Sequence, residues 1–290
     1  MEKNTKEEYE EKSLLLTIDV GNSNMTFGVF AGDKILHQWR IQSNRDKTSD
    51  EYGIELEQIL YHFGFTRRLF RDVIIASVVP NLMYTLSAMC RRFLKCEPII
   101  VGQGTKTGMP IRYDNPREVG ADRIVNAVGG YELYGGPLII IDIGTAITHD
   151  VISANGEYLG GAIAPGIQIA AEALFMRTAK LPKIELVTPP SAIGKTTVQS
   201  MQSGIVLGFI GMIDYVTQCI LADLHQTAGQ TRILGTGGYA RLIAKQSRYI
   251  QAIDKDITLH GLRIIYERTL RARRTAEEVR RGADDIETVQ

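Results

Sequence analysis

Apolar residues gather along this chain in short blocks that end on small polar loops. Leu14-Leu15-Leu16-Thr17-Ile18 is the first such block, and it runs into Asp19-Val20-Gly21-Asn22-Ser23-Asn24. The pattern predicts a buried strand followed by a polar loop. Met25 to Phe30 and Lys34 to Ile41 are β-rich and flank Ala31-Gly32-Asp33, whose Gly and Asp tolerate a sharp reversal. That predicts a hairpin. Glu51 to Phe65 and Asn81 to Leu94 have the periodicity of helices, and Asp72 to Val79 that of a buried strand, so the first half reads β-hairpin-α-β-α.

The same pattern is written again further on. Pro137-Leu138-Ile139-Ile140-Ile141 runs into Asp142-Ile143-Gly144-Thr145-Ala146, and a second hairpin turns at Ala154-Asn155-Gly156-Glu157. A long helix around Ser200 to Leu224 and a strand at Thr231 to Leu234 complete the match. The spacing of the two copies far exceeds that of short solenoid repeats, so a duplicated α/β domain is the economical reading. The expected boundary falls between 118 and 119, giving domains 1–118 and 119–290.

Composition narrows the class. At 290 residues, two domains are the natural prior, and 44% apolar with 23% charged residues is an ordinary globular balance. Lys+Arg and Asp+Glu both count 33, so no global charge draws the chain to a phosphate backbone or an anionic membrane. Arg268, Arg271, Arg273 and Arg274 sit in a sign-mixed stretch, Tyr266 to Gln290, that reads as a solvated helix or a frayed tail. Nucleic-acid binding is therefore not expected. Cys90, Cys96 and Cys219 are too few and too irregular for a disulfide framework or a four-ligand zinc site, and the five histidines show no metalloprotease pair. The Glu- and Lys-rich stretch from Met1 to Lys12 has no apolar core of a signal peptide, and no later run reaches a span's length of apolar residues. A cytoplasmic protein without a membrane partner is expected.

The Asp-x-Gly loops carry the candidate chemistry. Small residues let a phosphate approach the backbone, whose N–H groups donate to its oxygens while Asn, Ser and Thr add hydrogen bonds. An acidic residue at the strand end suits Mg²⁺. Gly235-Thr236-Gly237-Gly238 supplies a third permissive loop, where a base or ribose could lie. Gly194-Lys195-Thr196 imitates the end of a P-loop, but the first glycine of that motif is replaced by Pro189 and no buried strand precedes it.

In combination these segments resemble the type III pantothenate kinases of the sugar kinase/heat-shock-70/actin superfamily. The resemblance runs from about Leu14 to Ile265. It rests on Asp19-Val-Gly-Asn, Tyr113-Asp-Asn-Pro116, Gly120-Ala-Asp-Arg123, Asp142-Ile-Gly-Thr-Ala146, Gly160-Gly-Ala-Ile-Ala-Pro-Gly166 and Gly194-Lys-Thr-Thr197, in that order. It implies two homologous actin-like (ribonuclease H-like) domains with a nucleotide cleft between them, and ATP-dependent phosphorylation of pantothenate, the first step towards coenzyme A. It further implies an ATP-phosphate loop at Asp19, Val20, Gly21, Asn22, Ser23, Asn24, Met25 and Thr26, with Thr145 as another ATP contact. Tyr113, Gly120, Ala121, Asp122, Arg123 and Thr197 would form the pantothenate pocket. Asp122 would be the proton acceptor, and Asp142 the ligand of a monovalent cation, K⁺ or NH₄⁺. Mg²⁺ is expected with ATP, and a homodimer is the expected assembly. Ser23 stands where Thr is commoner and keeps the hydroxyl. His149 is left without a role, either a packed neutral imidazole or an added polar contact. Two other readings use the same fold, a different small-molecule phosphotransferase and a nucleotide-responsive regulator. The intact Asp19, Asp122 and Asp142 speak against the second.

Overall fold

The computed structural model describes residues 13–102 and 104–287; the Glu- and Lys-rich stretch 1–12 and residues 288–290 lie outside the described residues. The described chain forms two five-stranded sheets of one topology.

In the first sheet, β1 (Leu14–Val20), β2 (Asn24–Ala31) and β3 (Lys34–Gln42) make an antiparallel meander. After α1 (Ser49–His62) the chain returns through β4 (Phe70–Ser77), parallel to β1; α2 (Pro80–Met89) then leads to β5 (Ile99–Ile100). The order across the sheet is β3-β2-β1-β4-β5. Leu16, Ile18, Val20, Met25 and Phe27 are almost wholly buried and pack with Tyr52, Leu56 and Leu60 of α1 and Leu82 and Leu86 of α2. Burial of that apolar area fixes the strand register, because a slip of one residue would turn the set outward. α1 begins on a capping box. Thr48 accepts from the Glu51 N–H while the Glu51 carboxylate accepts from the Thr48 N–H at 2.7 Å.

The second sheet repeats the plan with β6 (Leu138–Ile143), β7 (Ala146–Ile152), β8 (Tyr158–Pro165), β9 (Arg232–Thr236) and β10 (Ala252–Ile253), in the order β8-β7-β6-β9-β10. Its helices are α4 (Ile167–Arg177), α5 (Thr197–Asp223) and α6 (Ala240–Ala244). α5 is long and apolar enough to cross a membrane by length and composition, with a mean hydropathy of 1.8 over its most apolar window. One face explains part of this: Met201, Ile205, Val206, Ile213 and Leu221 pack on the β6 and β9 side chains in the core. The opposite side stays open, where added Cβ atoms on Gly204, Gly208 and Gly211 would meet nothing within 4 Å.

The compact units are not contiguous stretches of chain. The first gathers the described residues up to Gly108, Arg117–Gly129 and those from Thr258 on; the second holds Met109–Pro116 and Gly130–Ile257. A single cut at 118/119, as the repeat suggested, therefore does not describe this division. The last helix, α7 (Ile257–Glu287), follows α3 (Ala121–Tyr134) in contributing to the first unit. There Thr258 donates to Asn126 Oδ1 at 2.6 Å, and Gly261 lies so close to α3 that an added Cβ would stand 2.1 Å from the Val125 carbonyl oxygen. The terminal stretch is correspondingly more than a solvated tail. Tyr266 is buried and donates to Asp72 at 2.7 Å, while Arg271, Arg273 and Arg274 are exposed as charge patterning suggested.

Candidate functional site

The first polar loop joins β1 to β2 and is braced from both sides. Gly21 N–H donates to the Asn24 carbonyl at 3.0 Å, closing the turn. After β3, Ser43 donates its hydroxyl to the Gly21 carbonyl at 2.6 Å and its N–H to the Ser23 carbonyl at 3.0 Å; after β4, Val78 N–H reaches the Val20 carbonyl. The frame is rigid while Asn22, Ser23 and Asn24 remain exposed. Val20 and Met25 are fully buried, so of these two expected ATP contacts only the backbone is at the loop. Asp19 sits opposite Thr26 on β2, and Thr26 sits opposite Arg40 on β3. Paired residues share a face of the sheet, so these three side chains stand in one row.

The second loop joins β6 to β7 and is tighter. Gly144 N–H bonds the Ala146 carbonyl at 3.0 Å, and the Thr145 carbonyl accepts from Gly166 N–H at 3.1 Å. Asp142 is half-buried, pairs with Thr148 on β7 and with Thr236 on β9, and Thr145 is exposed. Two glycines let other segments close on it. A Cβ on Gly166 would meet the Thr145 carbonyl oxygen at 2.2 Å, and one on Gly237, whose φ is +91°, would lie 2.4 Å from Asp142 Oδ1. The third loop is thus seated directly on the carboxylate.

Asp122 occupies the first turn of α3. Its Oδ1 accepts from the Arg123 N–H at 2.8 Å, the usual place for a carboxylate at a helix start. Gly120 makes the pose possible, since a Cβ there would stand 2.5 Å from Asp122 Oδ1. Burial pushes the Asp122 carboxyl above its ordinary range, opposed by the Arg123 N–H and guanidinium. The result is a carboxylate more basic than a solvated one. Arg123 itself is buried, and Ala121 is half-buried at the head of the helix.

Tyr113 is held against β8. Ile111 pairs with Tyr158, Arg112 N–H donates to the Tyr158 carbonyl at 2.8 Å, and the Arg112 side chain donates to Glu157 Oε1 at 2.6 Å. Gly160 lies against the Tyr113 ring, where an added Cβ would make ordinary contact at 3.5 Å; its φ of +121° is what favours glycine there. Thr197 opens α5, just after Thr196, whose side chain caps the helix by accepting from Gln199 N–H. The Gly194-Lys195-Thr196 segment is a helix start and not a P-loop. Thr197 and Ser200 are the hydroxyls of an otherwise apolar cavity of about 590 Å³ beside α5. His149 is buried, and desolvation lowers its pKa to about 4, so it is a packed neutral imidazole.

Among the described residues no group of three or more His, Cys, Asp or Glu is placed to hold a metal ion. Around Asp142 the side-chain donors are a carboxylate and the hydroxyls of its register partners, all oxygen, which suits a hard cation. Sequence reasoning missed Ser43, Gly166 and Arg45, which donates to Asn22 Oδ1 at 3.3 Å. Gly166 stood inside a quoted motif, whereas Ser43 and Arg45 follow an ordinary strand with no pattern to mark them.

A family model described as type III pantothenate kinase matches residues 15–219. A type III pantothenate kinase of Finegoldia magna is 53% identical over 254 residues, covering 88% of this chain and 97% of that protein. The type III pantothenate kinase of Moorella thermoacetica is 52% identical over 255 residues, covering 88% and 99%. Among solved structures, a conserved putative Baf family transcriptional activator from Campylobacter jejuni aligns with a TM-score of 0.51 at 20% identity, over 87% of this chain and 97% of that one. At that identity the likeness speaks for the fold alone.

Proposed function

The chain belongs to the type III pantothenate kinase family, and from that premise we propose how its loops share the work. It is a kinase that phosphorylates pantothenate in coenzyme A biosynthesis, with ATP as donor. The observation that carries this is identity above 50% to two such enzymes over nearly their whole length.

Phosphoryl transfer asks little covalent work of a protein; it needs placement of the hydroxyl and the γ-phosphate, and donors for the charge on the transferring oxygens. In our reading the turn from Asp19 to Thr26 binds the ATP phosphates through its backbone and the exposed Asn22, Ser23 and Asn24 side chains, and Thr145 adds a hydroxyl. Tyr113, Thr197 and the segment Gly120–Arg123 bind pantothenate. Asp122 orients the substrate hydroxyl and accepts its proton; the upward push that burial exerts on its carboxyl strengthens it as a base. Asp142 would hold K⁺ or NH₄⁺, and Mg²⁺ would arrive with ATP near Asp19. Such cations offset the charge of the triphosphate.

We further propose a cytoplasmic homodimer. The open side of α5 supports it, together with exposed apolar residues such as Ile163, Met176, Ile193 and Tyr215 in the same unit, an apolar surface that a second copy would cover. The test is coupled ADP release from ATP. Release that requires pantothenate and rises with added K⁺ or NH₄⁺ is expected; release with other alcohols but not pantothenate overturns the substrate assignment.

A further inference from the structure

We propose that Arg45 and Arg40 are phosphate-binding residues, supplying the positive charge that the first loop lacks. This rests on reading Asp19 to Thr26 as the phosphate loop. That stretch contains one acid and no cation, while a triphosphate in transfer needs positive charge beside its oxygens. The charge must come from a neighbouring segment.

The chain after β3 is that segment, and it is anchored to the loop. Ser43 bonds Gly21 and Ser23, and the next residue, Asn44, exchanges hydrogen bonds with the buried Tyr52 hydroxyl at 2.9 and 2.7 Å. Arg45 follows directly. Its backbone position is fixed by these contacts, its side chain is exposed, and its guanidinium reaches Asn22 on the loop itself at 3.3 Å. Arg40 comes from the strand. It ends the cross-strand row Asp19–Thr26–Arg40, exposed on the same sheet face as the carboxylate at the loop's entrance. Neither arginine is ion-paired with an acid among the described residues. Lys47, two residues beyond Arg45, is by contrast committed to Glu55 at 2.8 Å.

The second sheet provides an internal control. Its equivalent row runs Asp142–Thr148–Ile163, so an isoleucine stands where the first sheet has Arg40. Two copies of one backbone thus place a cation in the carboxylate's cross-strand row only at the proposed phosphate loop. A planar, always-charged guanidinium suits phosphate oxygens, which it can bond in pairs.

The experiment is steady-state kinetics of the full chain carrying Arg45→Ala, Arg45→Lys, Arg40→Ala or Lys47→Ala, with Gly21→Ala and Ser23→Ala as loop variants. Arg45→Ala should lower kcat/KM for ATP by roughly tenfold or more, as loss of a charged hydrogen bond does, with KM for pantothenate changed less than about twofold. Arg45→Lys should recover part of the loss, Arg40→Ala should show a smaller loss, and Lys47→Ala should match the wild type. The split between the two substrates and the lysine rescue separate phosphate binding from damage to the fold. If the loop variants impair ATP use and the arginine variants do not, the inference is overturned and the loop reading stands. If neither set affects ATP use, the loop reading falls and takes the inference with it.

Discussion

The two Asp-Gly turns are built on the same sheet plan and each closes on a glycine N–H, yet the segments packed around them differ. The first leaves four residues between its last register pair, Val20 with Met25, and keeps three of them exposed above a backbone braced by Ser43 and Val78. The second leaves three residues after Ile143 pairs with Ile147, and Gly166 and Gly237 bring neighbouring backbone down upon it. Duplication preserved the carboxylate and its threonine partner in both rows. What differs is what covers them. An open turn rich in donors is suited to an anion; a closed turn whose carboxylate is pressed by glycines and ringed by oxygens is suited to a cation. In the proposed reading, the difference would give the same backbone opposite ligand preferences through its neighbours.

The largest effect is expected outside both turns, at the carboxylate proposed as the base. Asp122→Asn should lower kcat by at least about 10²-fold with modest changes in either KM, since general-base assistance is typically worth about 10²–10⁴. In the wild type the acid limb of kcat/KM should lie above the ordinary carboxylate pKa of about 4, because burial raises the group that must be ionised. Steady-state rates between pH 4 and 8 check both. A near-wild-type rate for Asp122→Asn would remove it from the proposed role.

Gly237→Ala sharpens the contrast between the turns. The added methyl would lie 2.4 Å from Asp142 Oδ1 on a residue with φ of +91°, so the carboxylate or the third loop must move. Disturbing a ligand's support typically costs tenfold or more in cation affinity, so the K⁺ concentration for half-activation should rise roughly tenfold. Gly21→Ala, whose Cβ would stand 3.0 Å from the Asn24 carbonyl oxygen, should leave that concentration unchanged. Titrating K⁺ with both variants reads the difference.

A smaller effect concerns stability. His149 is held neutral in the fold with its pKa lowered to about 4, whereas the unfolded chain protonates near 6.5. The unfolded state therefore binds the extra proton first. Stability should fall as pH drops from 6.5 towards 4, by about 1 kcal/mol per unit, and His149→Phe should flatten that slope. Denaturant midpoints at several pH values measure it; an unchanged slope in the variant would place the pH sensitivity elsewhere.

Much of this was legible in the residues. The apolar blocks before Asp19 and Asp142 are buried on both faces of their sheets, so their composition alone marked β1 and β6, and the Asp-x-Gly ends marked the turns. Gly120 and Asp122 were found through an ordered motif, and their contact at the start of α3 supplies the physical reason for the pair. The return of α7 to the first unit was not legible, because Leu259, Leu262 and Ile265 show a helix what to bury but not where. Nor could spacing reveal that Val20 and Met25 turn inward while their neighbours turn out; that follows from register. Arg40 shows the same limit. Its place in one row with Thr26 and Asp19 exists only once three strands are laid side by side.

The most direct test of the proposed division of labour is a K⁺ titration of Asp142→Asn beside Asp19→Asn, each at saturating ATP and pantothenate. The account predicts that Asp142→Asn loses its response to K⁺ while Asp19→Asn, though slower, retains it. Full K⁺ activation of Asp142→Asn would contradict the account.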